Sequence, residues 1–309
     1  MSGNDSQWID TASYSDVGRV RSVNQDRFAE FEDGRGNRLL VVADGMGGHQ
    51  GGETASRLAV EAIGEVFGRS EESLEKRIRT AIETANQRVH ESASADPDLA
   101  GMGTTVVALC LGEGGEAWVA HVGDSRLYLL RDGSLDALTA DHSLVEEMHQ
   151  QGFLSAEEAR VHPRRNELTR SVGVVAEVEA EVARVAVQPG DRLLLCSDGL
   201  CGYLGDGEIR EILESEEPSS AARMLVDHAN AIGGSDNVTV QVVAIREAAP
   251  LEGDGAGENR ASLPSRERQA IDQLRQVRAE RRIPRSWLAG CAVVALLLAA
   301  AALWMLLRG

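Results

Sequence analysis

The sequence predicts an α+β fold, on three observations. Apolar runs of strand length recur with short glycine-bearing turns between them. Amphipathic helical stretches are interspersed, and aspartates repeatedly stand where a strand meets a turn.

Taken along the chain, "DVGRVRSVNQDRFAEF" carries Arg21 and Asp26 into a strand-like run around Arg27–Phe31. Leu39–Ala43 is an unbroken apolar run, the pattern of a strand buried on both faces, and it ends on Asp44 at a glycine-rich stretch. A helix is predicted over 54–67, with Ala55, Leu58, Ala59, Ala62, Ile63 and Val66 along one side. A second is predicted over 74–91, where Leu74, Ile78, Ile82, Ala85 and Val89 keep helical spacing. The runs 104–111, 116–122 and 126–131 are joined by short Gly- or Asp-Gly-containing turns, which predicts antiparallel hairpins. Leu193–Cys196 repeats the pattern of Leu39–Asp44, running into Ser197, Asp198 and Gly199. A helix over 219–231 then precedes "GGSDNVTV", which sets Asp236 just before the strand Val238–Ile245.

Composition removes several classes of function. The chain of 309 residues holds 49 acidic against 31 basic residues, a balance that argues against nucleic acid as a partner. Cys110, Cys196, Cys201 and Cys291 lie in apolar surroundings without zinc-like pairing, as thiols of a reducing compartment do. The first ten residues lack the apolar core of a secretory signal. "DGMGGHQGG" fails the dinucleotide fingerprint from Gly45, and Asp44 at the strand end would repel a pyrophosphate. The single lysine, Lys76, sits in a charged helix with no phosphate-loop motif, so P-loop and kinase readings fail. His142 and His149 stand seven apart with no companion ligands, so zinc is not expected.

The C-terminal part is organised differently. Trp287–Leu307 is 21 residues without a charge; at 1.5 Å per residue it spans roughly 31 Å, one bilayer core. It is expected to be a transmembrane helix, preceded by a linker and arginine-rich segment over 249–286 and a folded body over 1–248. Arg278, Arg281, Arg282 and Arg285 flank its N-terminal side, whereas only Arg308 and Gly309 follow it. The positive-inside rule then keeps the body in the cytoplasm, on a single-pass inner-membrane anchor.

Asp44, Asp124, Asp198 and Asp236 each stand at a strand boundary beside glycine. If those strands share one sheet edge, the four carboxylates converge. Converging buried carboxylates stay charged only when paired or bound to metal. An all-oxygen set without a His or Cys cluster favours Mg or Mn, and one carboxylate bridging two ions is the ordinary way to build a two-metal centre. Gly45 can add its carbonyl without obstructing a substrate. Arg21, beside such a centre, suits two-pronged phosphate capture.

The set of motifs resembles the metal-dependent type-2C (PPM) Ser/Thr protein phosphatases in their bacterial form. The segments are "RSVNQD" (21–26), "VADGMGGH" (42–49), "GMGTT" (101–105), "VGDSR" (122–126), "LTADHSLVEE" (138–147), "HPRRNELTRSVG" (162–173), "LLLCSDGL" (193–200) and "GGSDNVTV" (233–240), in family order. The resemblance implies a four-layer α-β-β-α sandwich of two antiparallel sheets. It implies two tightly bound Mn(II) or Mg(II) ions, bridged by Asp44 and completed by the Gly45 carbonyl, Asp198 and Asp236. A weaker third ion would fall to Asp124 with Asp198. Arg21 would bind the phosphate, Asp26 would orient metal-bound water, and residues 141–173 would form the flap. Phosphoproteins, a membrane Ser/Thr kinase among them, are the implied partners of a monomeric catalytic domain. Met46 stands where eukaryotic members carry a histidine thought to protonate the leaving group, which leaves water as the first choice for that role and His49 as the second. A metal-dependent phosphomonoesterase for small molecules and a membrane-tethered pseudophosphatase binding module are the alternative readings.

Overall fold

The computed structural model describes residues 8–48, 50–69, 71–112 and 115–247, all within one unit, Met1–Glu252. The expected linker and the apolar segment 287–307 lie outside the described residues, as does His49. No described helix is long and apolar enough to cross a membrane.

The strands are β1 (Ile9–Asp16), β2 (Asp26–Glu32), β3 (Arg38–Met46), β4 (Gly103–Thr104), β5 (Val106–Leu111), β6 (Glu116–Val122), β7 (Arg126–Arg131), β8 (Ser134–Ala137), β9 (Glu181–Ala186), β10 (Arg192–Cys196) and β11 (Val238–Ile245). The helices are α1 (Gly51–Arg69), α2 (Leu74–Ala95), α3 (Leu144–Gln150), α4 (Ala156–Val161), α5 (Asp198–Cys201), α6 (Asp206–Ser215) and α7 (Pro218–Ile232). One sheet runs β1-β11-β10-β7-β8; the other runs β2-β3-β5-β6-β9, with β4 on β3. Every pairing is antiparallel.

Period-two alternation in the strands divides the core into three layers. Leu39, Val41 and Ala43 of β3 pack with Ala59, Ile63, Ile78 and Ile82 of α1 and α2. Leu40 and Val42 face the other way, against Leu127, Leu193, Leu195 and Val243 of the opposite sheet. On the far side Val238, Val240 and Val242 meet Leu225, Val226 and Ile209 of α7 and α6. The result is a helix–sheet–sheet–helix sandwich.

Three local features depart from the sequence reading in ways that bear on the cavity and the flap. Helix α1 begins at Gly51, because a side chain at Gly52 would lie 2.7 Å from both the Gln25 side chain and the Gly45 carbonyl. Those glycines are the close packing of a helix start on a strand end, not only a turn. The run 104–111 divides at Thr105, whose hydroxyl accepts the Asp44 N–H at 3.0 Å in place of a backbone carbonyl. The flap contains two helices, α3 and α4, started by Ser143 and Ser155, whose hydroxyls accept the N–H groups of Glu146 and Glu158.

Candidate metal centre

Antiparallel pairing brings the strand ends of interest to one end of the sandwich. β2 starts where β3 finishes, so Asp26 stands opposite Asp44. β10 ends at Cys196, opposite Val240 on β11 and Arg126 on β7, so Asp198 emerges between Asp236 and Asp124. Asp44, Asp124, Asp198 and Asp236 border one cavity of about 490 Å³, together with Arg21, Gly45 and Met46. Asn166 and Leu168 of the flap close its side. Asp26 lies behind this wall, 2% exposed, with Ser197 Oγ donating to its Oδ2 at 2.8 Å.

Crowding perturbs these acids strongly. Burial pushes Asp26 from its ordinary 3.8 up to about 7, aided by the charges of Asp198 and Asp236 and opposed by hydrogen bonds from Thr239 and Ser197. Burial, then the charges of Asp26, Asp198, Asp124 and Asp236, hold Asp44 well above the carboxylate range. Asp124 is raised by burial, Asp198 and Asp141, and Asp198 by burial and Asp236. The Oδ1 atoms of Asp26 and Asp198 are buried with no hydrogen-bond partner. Desolvated, mutually repelling carboxylates with unpartnered oxygens are the donor set of a hard divalent cation. Gly45 contributes backbone alone: a Cβ there would fall 2.0 Å from the Gly52 carbonyl oxygen.

These shifts set a pH dependence for the metal-free protein. The native state keeps protons that the unfolded chain has released above the ordinary carboxylate pKa. Its stability is therefore expected to fall as pH rises from about 4 toward 7, and saturating Mn should flatten that slope. Tm of chelated protein across this range, with and without Mn, measures it; a chelated profile flat in pH would contradict it.

Arg21 reaches the cavity by donating from Nη2 to Asp236 Oδ2 at 2.9 Å. Its loop is closed by a residue that the sequence reading passed over. Asn237 Oδ1 accepts the Gln25 N–H at 2.8 Å, while its Nδ2 donates to the carbonyls of Val17 and Val23 at 2.9 and 3.1 Å. Thr105 and Ser197 were likewise passed over. All three are polar neighbours of the strand-end motifs, and their burial was the missing signal: Asn237 is 4%, Thr105 3% and Ser197 0% exposed.

The protein phosphatase 2C family pattern matches residues 18–232. The chain belongs to the protein phosphatase 2C family. It is similar to the serine/threonine phosphatase stp of Listeria monocytogenes, 40% identical over 235 residues that cover 74% of this chain and 93% of that protein. Among solved structures, the Mycobacterium tuberculosis serine/threonine phosphatase PstP/Ppp superposes with a TM-score of 0.71 at 37% identity, over 77% of this chain and 99% of that one. The catalytic domain of the serine threonine protein phosphatase PstP in complex with 2 manganese ions gives 0.70 at 36% identity, over 77% and 99%. This phosphatase 2C chain is a metal-dependent serine/threonine protein phosphatase.

Proposed function

We propose that the cavity hydrolyses phosphoserine and phosphothreonine on proteins with two tightly held Mn(II) or Mg(II) ions. Asp44 would bridge them, with the Gly45 carbonyl, Asp198 and Asp236 completing the set, and Asp124 with Asp198 would hold a weaker third. The observation that carries this reading is the meeting of four aspartates at one cavity, with Oδ1 of Asp198 left buried and unpartnered. Bound there, the ions supply Lewis acidity, lowering the pKa of the attacking water and neutralising charge on the phosphoryl group.

The chain's own residues do the rest. Asp26, held by Ser197 at Oδ2 and with Oδ1 unpartnered, would orient the attacking water from behind Asp44. Arg21, whose guanidinium reaches the cavity beside Asp236, would bind the phosphate through two charge-assisted hydrogen bonds. Met46 borders the cavity and carries no proton to give, so the leaving serine or threonine oxygen takes its proton from water. The deciding experiment is hydrolysis of a phosphothreonine peptide by the full chain with Mn, with Mg and after exhaustive chelation. Undiminished turnover in the chelated protein would contradict the mechanism.

Arg21→Ala is expected to raise KM for phosphopeptides and to lower kcat. It removes two charge-assisted hydrogen bonds worth about 1.5–3 kcal/mol each, so kcat/KM should fall by about a hundredfold to ten-thousandfold. Steady-state kinetics at saturating Mn measure this, and wild-type constants would show that Arg21 does not touch the substrate.

The same reading places the enzyme at the inner membrane through Trp287–Leu307, with the body in the cytoplasm. There it would meet membrane-associated phosphoproteins, a receptor-type Ser/Thr kinase among them, at raised effective concentration. The four arginines before the apolar segment support it, each adding ~1 kcal/mol of attraction to anionic lipid. Residues 1–250 alone are expected to match the full chain on peptides and to fall short of it in cells. Protease protection that placed the body on the other side of the membrane would overturn the topology.

A further inference from the structure

His142 stands at the root of the flap, 5% exposed, and makes three links to backbone. Its N–H donates to the Gly123 carbonyl at 3.0 Å, and its own carbonyl accepts the Thr169 N–H at 2.9 Å. The Gly123 N–H donates to His142 Nδ1 at 3.2 Å. One residue thus grips both polar backbone atoms of Gly123, the residue before Asp124, and joins the first part of the flap to its last. On the other side of Asp124, Ser125 Oγ lies 2.7 Å from Thr105 Oγ1, the hydroxyl that also accepts the Asp44 N–H. The turn has no slack of its own: Gly123 has φ +106°, and a Cβ there would fall 2.6 Å from the Thr105 methyl.

His142, His121 and Glu181 together have the composition of a zinc site, but their hydrogen bonds oppose it. Because Nδ1 accepts an N–H, the ring proton of His142 is on Nε2, which donates to Glu181 Oε1 at 3.1 Å. Coordination through Nε2 would require an imidazolate or the loss of the Gly123 bond. Arg170 Nη1 also donates to Glu181 Oε1 at 3.1 Å, on the side a cation would need. Burial, then the neighbouring His121 and Arg170, push His142 down to about 4, so the ring is neutral. His121 stacks on it with centroids 4.5 Å apart and donates from Nε2 to the Ala140 carbonyl at 2.8 Å. The cluster is a brace.

We propose, on the reading above of Asp124 as ligand to a weaker third ion, that His142 is a positioning residue for that ligand. By holding Gly123 through Nδ1 it fixes where the Asp124 carboxylate stands, and it ties the affinity for that ion to the closed root of the flap.

The test compares His142→Asn with His142→Gln in the full chain. The Asn oxygen takes the place of Nδ1 and can still accept from Gly123; the Gln amide reaches toward Glu181 instead. Manganese titration by calorimetry reads each class of bound ion without reference to turnover, and thermal melts check folding. H142Q, like H142L, is expected to weaken only the weakest class, by about fivefold for one lost hydrogen bond, whereas H142N should bind as wild type. Asp124→Asn, run in parallel, should abolish that class. If D124N keeps it, the reading of Asp124 fails; if D124N loses it while H142Q binds as wild type, the positioning role fails. Equal weakening in H142N and H142Q would also overturn the proposal, since Nδ1 would then not be the atom that matters. Should H142L not fold, the Asn–Gln contrast carries the test alone.

Discussion

Asp44→Asn is expected to reduce kcat/KM by about three orders of magnitude or more while leaving the fold intact. Asp44 sits at the end of β3 with its N–H on Thr105 Oγ1 and its carbonyl accepting from the Thr105 N–H at 2.8 Å. The asparagine backbone can keep both bonds. What it loses is charge. Burial and four neighbouring aspartates hold Asp44 far above the ordinary carboxylate range, so ionising it without a cation is unfavourable. Two consequences have opposite signs. The metal-free mutant should be as stable as the wild type or more so at neutral pH, because one repelling acid has been neutralised. The stabilisation gained on adding Mn should shrink, because the ions lose the ligand between them. Thermal melts with and without Mn read both, and calorimetry reads the stoichiometry. A mutant with unchanged ion stoichiometry and an unchanged Mn-induced rise in Tm would remove Asp44 from the bridging position.

Arg77→Ala is expected to be the most destabilising single change away from the cavity. Arg77 lies on α2 at 1% exposure, and its Nη1 pairs with Asp33, both side chains being almost wholly buried. The guanidinium also lies 5.2 Å from the Phe67 ring centroid. Asp33 in turn holds the β2–β3 turn, accepting the N–H groups of Arg35 and Asn37 at 2.9 and 3.0 Å and Asn37 Nδ2 at 2.8 Å. Truncating Arg77 leaves a carboxylate buried and uncompensated beside a void. Breaking such a pair from one side costs about 3–5 kcal/mol, roughly a 10 °C fall in Tm for a domain of this size. Asp33→Asn keeps the acceptor for the turn and removes the charge, so adding it to Arg77→Ala should recover part of the loss. Chemical denaturation of the two single mutants and the double mutant measures the coupling. A loss below about 1 kcal/mol for Arg77→Ala would show the pair to be no better than a surface one.

The elements that were legible in the sequence are those whose signal is local. β3, β10 and β11 are apolar runs that stop on polar residues. α1, α2 and α7 keep a helical stripe because one side of each meets a sheet. β1 was not legible: "IDTASYSD" has no apolar run, since Ser13 and Ser15 face polar partners, Gln241 and Thr239, in the opposite strand. Its place comes from pairing with β11, Ile9 against Ile245, across nearly the whole domain. β9 was missed for the converse reason. It is an edge strand whose residues are mostly exposed, so selection for burial leaves little pattern on it. The flap helices carry clear serine caps but are short and bury little: Val145 of α3 is buried and no residue of α4 is.

The sequence by itself determined which oxygen donors stand at strand ends; that His142 meets His121 and Glu181, in hydrogen bonds that oppose a metal, was decided by the tertiary structure. The sequence also placed a glycine directly after Asp44, although only the folded structure shows that strand and helix meet there with no room for a side chain. Tertiary structure alone decided that Asp26 lies opposite Asp44, that Arg21 rests on Asp236, and that His142 grips the turn before Asp124. The reason is physical. A strand end is written within a few adjacent residues, whereas burial, repulsion and the pKa of a carboxylate depend on distances between segments far apart in the chain. Those distances exist only once two sheets have closed on each other.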